Sequence, residues 1–124
     1  MKVRISGNKI RFRLKEPEVN KFQQEGRVSE VLEFGLNDID QIKFTLAKSL
    51  TDTIIAEFKN NETTIHVPEK QAKDWTSTPL VGFAEEVNTG KGKTVSILIE
   101  KDFMCMDGRE EDNAGSYPNP LAAT

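Results

Sequence analysis

The feature that most constrains the fold is an internal repeat. Residues 1–49 and residues 54–102 show the same order of predicted elements when they are offset by 53 positions without a gap. Thirteen pairs of apolar residues coincide at this offset, whereas roughly six are expected by chance from the 36% apolar fraction of the chain. We therefore predict an internal duplication. An accidental similarity of two strand meanders is the alternative.

The first half of the chain predicts the order strand, strand, helix, strand, strand. Gly7-Asn8 separates two extended segments, and in the second of these Ile10, Phe12 and Leu14 alternate with basic residues. This period of two indicates one buried face and one solvated face. The predicted elements are strands at residues 2–6 and 9–14, a helix at 16–25, and strands at 28–34 and 42–46.

The second half repeats this order from Ile54, and Pro68 opens its short helix. Phe22 and Trp75 occupy equivalent positions on the two helices, so we expect both side chains in the core. The predicted class is α+β, a mostly antiparallel sheet with two short helices formed by two ββαββ units. Each unit has an apolar face that it cannot bury alone, so we expect the two units to share one core in a single domain, residues 1–124.

Composition excludes several classes of protein. The chain has 124 residues, a net charge of -3, one cysteine and one histidine, so it can form neither an intrachain disulfide nor a zinc site built from four cysteines or from two cysteines and two histidines. No apolar run is long enough to cross a bilayer, and the N-terminal residues do not resemble a signal peptide, so we expect a cytoplasmic protein. We predict no cofactor.

The two ends of the chain resemble a family. Lys2–Leu14 at the start, and Glu100–Phe103, Cys105, Arg109, Glu111-Asp112 and Tyr117–Pro120 at the end, resemble the signatures of a small uncharacterised bacterial family that is classed only as a domain of unknown function. The resemblance implies a stand-alone bacterial protein. It implies no catalytic residue.

Charge is distributed unevenly along the chain. Five cations alternate with apolar residues in the first two strands and should lie on one solvent face, which is the candidate interaction face. Three interpretations stay open: a solvated face that discourages aggregation, a face covered by acidic C-terminal residues or by a partner chain, and a nucleic-acid surface. Nucleic acid is unlikely here because the pI is about 5.3 and no exposed aromatic residues are interleaved. The five cations are Lys2, Arg4, Lys9, Arg11 and Arg13.

The candidate catalytic motifs in the sequence give only weak evidence of an active site. Cys105 could act as a nucleophile or a metal ligand, but His66 is the only imidazole in the chain and should point outward between Ile65 and Val67. We favour a surface histidine and a packed thiol over a Cys-His dyad. Gly92-Lys93-Thr94 lacks the spacing of a phosphate-binding loop. We therefore predict no catalytic and no metal-binding residue.

The residues together favour a non-enzymatic interaction module that binds a protein partner or a second copy of itself. The alternative is a small-molecule-binding protein with its pocket between the two halves. Residues 103–124 fit neither helix nor strand but contain large apolar groups, so we expect them to dock as a C-terminal strap, which in the alternative covers that pocket. The candidate strap residues are Asp102, Phe103, Cys105, Arg109 and Tyr117.

Overall fold

The computed structural model describes residues 1–103 and residue 117. It has the predicted α+β class, with two short helices and eight strands among these residues. The elements are β1 (Lys2–Ser6), β2 (Lys9–Leu14), α1 (Glu16–Glu25), β3 (Arg27–Glu33), β4 (Gln41–Ser49), β5 (Ile55–Lys59), β6 (Glu62–Pro68), α2 (Glu69–Ser77), β7 (Gly82–Gly90) and β8 (Lys93–Lys101), with a 3-10 turn at Asp38–Asp40.

The strands form two mixed sheets. The first sheet has the order β1-β2-β8-β7, and the second has the order β3-β4-β6-β5. Each sheet therefore combines the first hairpin of one half with the second hairpin of the other half. The hairpins are antiparallel, whereas the two central pairs, β2-β8 and β4-β6, are parallel. The prediction of mostly antiparallel pairing holds for the hairpins, and the parallel pairs arise because the halves exchange hairpins.

Strand register reproduces the duplication. Phe12 pairs with Ile99 in the first sheet, and Leu46 pairs with Ile65 in the second. Adding 53 to 12 gives 65, and adding 53 to 46 gives 99, so the two parallel pairs are equivalent. This is the relation expected of a duplicated ββαββ unit.

One strand departs from the gapless offset. Ser29 pairs with Thr45, whereas the partner of Leu98 is Ala84, which follows Ser29 by 55 positions rather than 53. Two extra residues before β7 are compensated by a shorter β7-β8 hairpin. The alignment of Val28 with Val81 is therefore wrong, and the residue equivalent to Val28 is Phe83.

The core lies between the inner faces of the sheets and the two helices. Trp75 is fully buried and Phe22 is 1% exposed, which confirms their prediction as core residues. Their rings meet edge to face at 6.1 Å, and Phe83 packs on the other side of the indole at 5.6 Å. Trp75 Nε1 donates a hydrogen bond to the carbonyl of Val81 over 3.0 Å, so the buried indole has a partner for its polar atom.

The two ends of this structure differ. Both helices follow the C-terminal ends of central strands and contact each other, which defines the helix end. At the opposite, open end the inner faces of the sheets have no helix above them. Ile5, which lies on the same face as its buried partner Ile10, is 61% exposed there, and Phe58 at the equivalent position is 72% exposed. Alternation identifies the face on which a residue lies but not how far the core extends along it.

Candidate interaction surface

The outer face of the first sheet carries all five predicted cations. Ile10, Phe12 and Leu14 are buried toward the core, so the residues between them point outward. Register aligns these outward residues with those of the neighbouring strands. From the helix end to the open end, the rows across β1, β2, β8 and β7 are Lys2, Arg13, Glu100 and Gly82; Arg4, Arg11, Leu98 and Ala84; and Ser6, Lys9, Ser96 and Glu86.

Two carboxylates from the end of β8 pair with three of these cations. Arg11 Nε donates to Glu100 Oε1 over 2.6 Å, and Arg13 Nη2 lies 3.1 Å from Asp102 Oδ1. Lys2 Nζ lies 3.1 Å from the other oxygen of Asp102. The side chain of Asp102 is 3% exposed and that of Glu100 is 15% exposed. Each cation in the half of the face nearest the helix end therefore has a carboxylate partner within the chain, and one net positive charge remains there.

The other half of the face forms an open trough of about 640 Å³. Leu98 and Ala84 contribute an apolar floor, and Glu86 lies on the rim formed by β7. Arg4 and Lys9 lie on the opposite rim. Neither has an ion-pair partner among residues 1–103 and 117. The trough thus combines uncovered apolar surface with two cations that are available to an anionic group.

The equivalent face of the second sheet is filled by its own side chains. Thr45, which is equivalent to Leu98, is fully buried. It donates a hydrogen bond to Glu62 Oε2 over 2.6 Å and lies 2.8 Å from the hydroxyl of Ser29. Arg27 Nη2 covers the same carboxylate at 3.2 Å. The duplication therefore provides one open face and one closed face on the same framework.

The carboxylate of Glu62 is stabilised in its ionised form. The hydrogen bond from Thr45 is the largest cause, and the positive charges of Lys43 and Arg27 act in the same direction. Together they hold the pKa of Glu62 below its usual value of 4.5, although burial acts against them. This network is polar and satisfied, so it stabilises the sheet rather than offering a site.

His66 lies on this second outer face, as the alternation predicts. Its Nδ1 lies 2.9 Å from Ser49 Oγ, and its Nε2 lies 3.4 Å from Glu57 Oε1. Sequence reasoning missed this Ser-His-Glu array. The one signal for it is the offset of 53, which aligns Ser49 with Asp102 and so indicates that Ser49 occupies an equivalent position in the second sheet. The side chain of Glu57 is 57% exposed, and its oxygen lies 3.4 Å from His66 Nε2, which is long for a hydrogen bond. This geometry favours a chain of surface hydrogen bonds over activation of Ser49 as a nucleophile. Cys105, the other member of the disfavoured Cys-His dyad, lies outside the described residues.

The chain beyond β8 begins at the helix end. Asp102 donates its backbone N–H to Leu14 and accepts a hydrogen bond from the backbone N–H of Tyr117 over 2.6 Å. Phe103 forms a parallel bridge with Tyr117, and their rings lie 5.6 Å apart. Of the candidate strap residues, Asp102, Phe103 and Tyr117 are thus brought together. Cys105 and Arg109 lie outside the described residues.

A buried amine lies beneath this bridge. Lys101 is 5% exposed, its Nζ donates to the carbonyl of Thr78 over 2.7 Å, and it lies 5.4 Å from the centre of the Tyr117 ring. Burial lowers the pKa of Lys101 from its usual value of 10.5. Burial also raises the pKa of Tyr117, and the charge of Glu16 acts in the same direction. Both pKa shifts favour the uncharged form of the side chain, because a buried charge is unfavourable at this junction.

An apolar opening of about 290 Å³ separates the sheets at the open end, lined in part by Ile5, Phe44 and Phe58. Phe103 and Tyr117, the described residues of the proposed strap beyond Asp102, lie at the other end of the strands. The idea of a pocket between the halves that the strap covers therefore gains no support from the described part of the chain.

The described residues also bear on metal binding and on membrane crossing. Within residues 1–103 and 117, no group of three or more His, Cys, Asp or Glu side chains is placed to hold a metal ion. In that same part of the chain, no helix has the length and apolar character needed to cross a membrane.

These observations define a class: a small α+β protein made from a duplicated ββαββ unit, with an open charged trough on one sheet and a closed polar network on the other. Its family can also be stated. The model of DUF7009, a family of unknown function, matches residues 1–121, and the chain belongs to this family. The resemblance to an uncharacterised family is thereby confirmed, while a bacterial origin stays a prediction. No curated protein and no solved structure matches the chain.

Proposed function

We propose that the protein is a non-enzymatic interaction module that binds an acidic polypeptide segment in the trough across the outer face of the first sheet. The observation that supports this most directly is the contrast between the two faces. The trough is open, has Leu98 and Ala84 on its floor and presents Arg4 and Lys9, whereas side chains fill the equivalent face of the second sheet.

Charge favours a polypeptide over a nucleic acid. Glu86 adds a negative charge on the far rim and Arg11 is already paired with Glu100, so Arg4 and Lys9 are the two cations of the trough left for a partner. A nucleic-acid site needs several available cations and exposed rings for stacking. An acidic peptide needs fewer cations. Its apolar side chains would cover Leu98, and its carboxylates would pair with Arg4 and Lys9.

The C-terminal strap remains part of the proposal as a structural element. Tyr117 contacts Phe103 and lies over Lys101 at the helix end, away from the trough. In this proposal the strap stabilises the helix end of a single domain and leaves the trough free for a partner. The partner is a different protein or a second copy, and the single cysteine suits a cytoplasmic setting.

The binding test compares a trough variant with a matched control. The trough variant is Arg4→Glu with Lys9→Glu, and the control is Lys21→Glu with Lys70→Glu, which makes the same charge change on the two helices. All four side chains are exposed, so neither variant should unfold. The probe is a dye-labelled synthetic peptide of alternating Glu and Leu, followed by fluorescence anisotropy at low and at high salt.

We expect the trough variant to bind the Glu-Leu peptide at least about tenfold more weakly than the wild type, because two favourable charge contacts become repulsive. The control should bind like the wild type, and added salt should weaken wild-type binding. Equal binding by both variants would exclude the trough. Tighter binding of a single-stranded oligonucleotide than of the peptide would favour the nucleic-acid alternative instead.

A further inference from the structure

The tip of the β3-β4 hairpin exposes an unusually large number of apolar side chains. Leu36 is 105% exposed, Ile39 is 77% exposed and Phe34 is 70% exposed, and Leu32 and Ile42 beside them are also open to solvent. Taking roughly 150–200 Å² for each large side chain, these five expose about 600 Å². A standard interface takes about 800 Å² from each partner, so the tip approaches what stable association needs.

The fold does not require this apolar surface. The equivalent β7-β8 hairpin reaches the same end of the structure and closes tightly through Gly90 and Lys93, with positive φ at Lys91 and Gly92. Its residues 88–94 contain no large apolar side chain. The same framework is therefore completed by a short polar turn in one half and by a longer apolar tip in the other.

The tip also has a defined shape. The backbone N–H of Phe34 donates to the carbonyl of Asp40 over 2.7 Å, and Asn61 Nδ2 from the neighbouring hairpin donates to the carbonyl of Ile39 over 3.0 Å. Gly35 leaves room for the carboxylate of Asp40, because a Cβ there would lie 2.7 Å from Asp40 Oδ2. A surface held in this way presents its side chains at a low entropic cost of binding.

The charge of the tip complements the trough. Residues 28–42 contain four carboxylates and no cation, and Glu33 and Asp38 lie exposed among the apolar residues. The trough presents Arg4 and Lys9 on one rim of an apolar floor, and Glu86 lies on the opposite rim. We infer that the β3-β4 tip of one copy of this chain docks in the trough of a second copy. This inference rests on the proposed function, because it names the acidic segment that the trough binds.

The contact must form between molecules. The tip extends from the second sheet at the open end, and the trough lies on the outer face of the first sheet, which points away from the second. Each copy therefore offers one tip and one trough, which are different surfaces. Two copies that each place their tip in the trough of the other form a closed two-fold dimer. Copies whose contacts are not reciprocal assemble into an open row of molecules.

The test uses two full-length variants and their mixture. The trough variant, Arg4→Glu with Lys9→Glu, keeps an intact tip. The tip variant, Leu36→Ser with Asp38→Lys, keeps an intact trough, and both of its substituted residues are exposed. Sedimentation velocity over a range of concentrations measures the association of each, and native mass spectrometry identifies mixed pairs. The control is again Lys21→Glu with Lys70→Glu.

We expect the wild type and the control to associate, and each of the two variants alone to shift toward monomer by at least tenfold in concentration. Mixing the two variants should restore one-to-one pairs, because one intact tip then meets one intact trough. A wild type that stays monomeric, variants that associate like the wild type, or a mixture without mixed pairs would each overturn the inference. A monomeric wild type that still binds the Glu-Leu peptide would overturn the self-association alone and leave the proposed function standing.

Discussion

Arg13 and Asp102 form an ion pair at the helix end of the first sheet, where Nη2 of the arginine lies 3.1 Å from Oδ1 of the nearly buried aspartate. The equivalent positions of the second sheet hold His66 and Ser49, whose Nδ1 and Oγ lie 2.9 Å apart. The duplicated framework thus places an ion pair in the first sheet and a histidine–serine hydrogen bond in the second at the same point. Only the first pair loses a contact between opposite charges when one partner is removed, although Glu100 still lies 3.4 Å from Arg13 Nε.

Replacement of Asp102 tests this difference. Asp102→Asn removes the carboxylate that Arg13 and Lys2 share, and we expect a loss of about 2 kcal/mol in the free energy of unfolding. The value is below that of a fully buried pair because the Arg13 side chain is 35% exposed. The matched variant Ser49→Ala should cost less than about 1 kcal/mol. Urea unfolding measures both, and equal losses would contradict the expected ranking.

Removal of the indole from the core should largely unfold the protein. Trp75→Ala deletes the fully buried ring that contacts Phe22 and Phe83, and we expect a loss of about 3 to 5 kcal/mol. Trp75→Phe keeps an aromatic ring and should lose less. Circular dichroism during heating is the measurement. A Trp75→Ala protein with the spectrum and melting temperature of the wild type would refute the placement of this residue.

The strap should stabilise the helix end without being essential to the fold. Truncation after Asp102 removes the Phe103–Tyr117 contact and uncovers Lys101, and we expect a folded protein with a lower melting temperature. Tyr117→Ala should reproduce part of this loss, whereas Tyr117→Phe should retain the ring contacts. Binding of the Glu-Leu peptide should be unchanged by truncation. Loss of that binding would show that the strap belongs to the binding site.

The lowered pKa of Glu62 predicts that the free energy of unfolding decreases in acid. Its pKa is lower in the folded state than in the unfolded state, chiefly because Thr45 donates a hydrogen bond to the ionised form. The unfolded chain therefore binds more protons as the pH falls through 4.5, and the contribution that is present at neutral pH is lost. Glu62→Gln should be less stable than the wild type at neutral pH, and the difference should shrink in acid. Urea unfolding at several pH values measures it, and a difference that does not change with pH would exclude this role.

Local patterns in the sequence were sufficient for the elements and their faces. The predicted helix at residues 16–25 has the observed bounds, since Pro17 suits its first turn and Gly26 ends it with a φ of 74°. The alternation around Phe12 placed the basic residues outside, because side chains of a strand point alternately to its two faces. The cations of the candidate interaction face were therefore identifiable, but their partners and the trough floor were not.

The sequence by itself determined the order of elements, the duplicated unit, the two aromatic core residues and the face that carries the cations. Each of these follows from neighbours within a few positions or from a comparison of equivalent positions. Only the tertiary structure decided that the halves exchange hairpins, which brings Leu98 beside Arg11 across 87 positions of chain and places Leu98 on the floor of the trough. The physical reason is that the alternation of apolar and polar residues in a strand is the same whichever strand pairs with it. The pairing is therefore decided by the arrangement in which the two apolar sheet faces bury each other in one core.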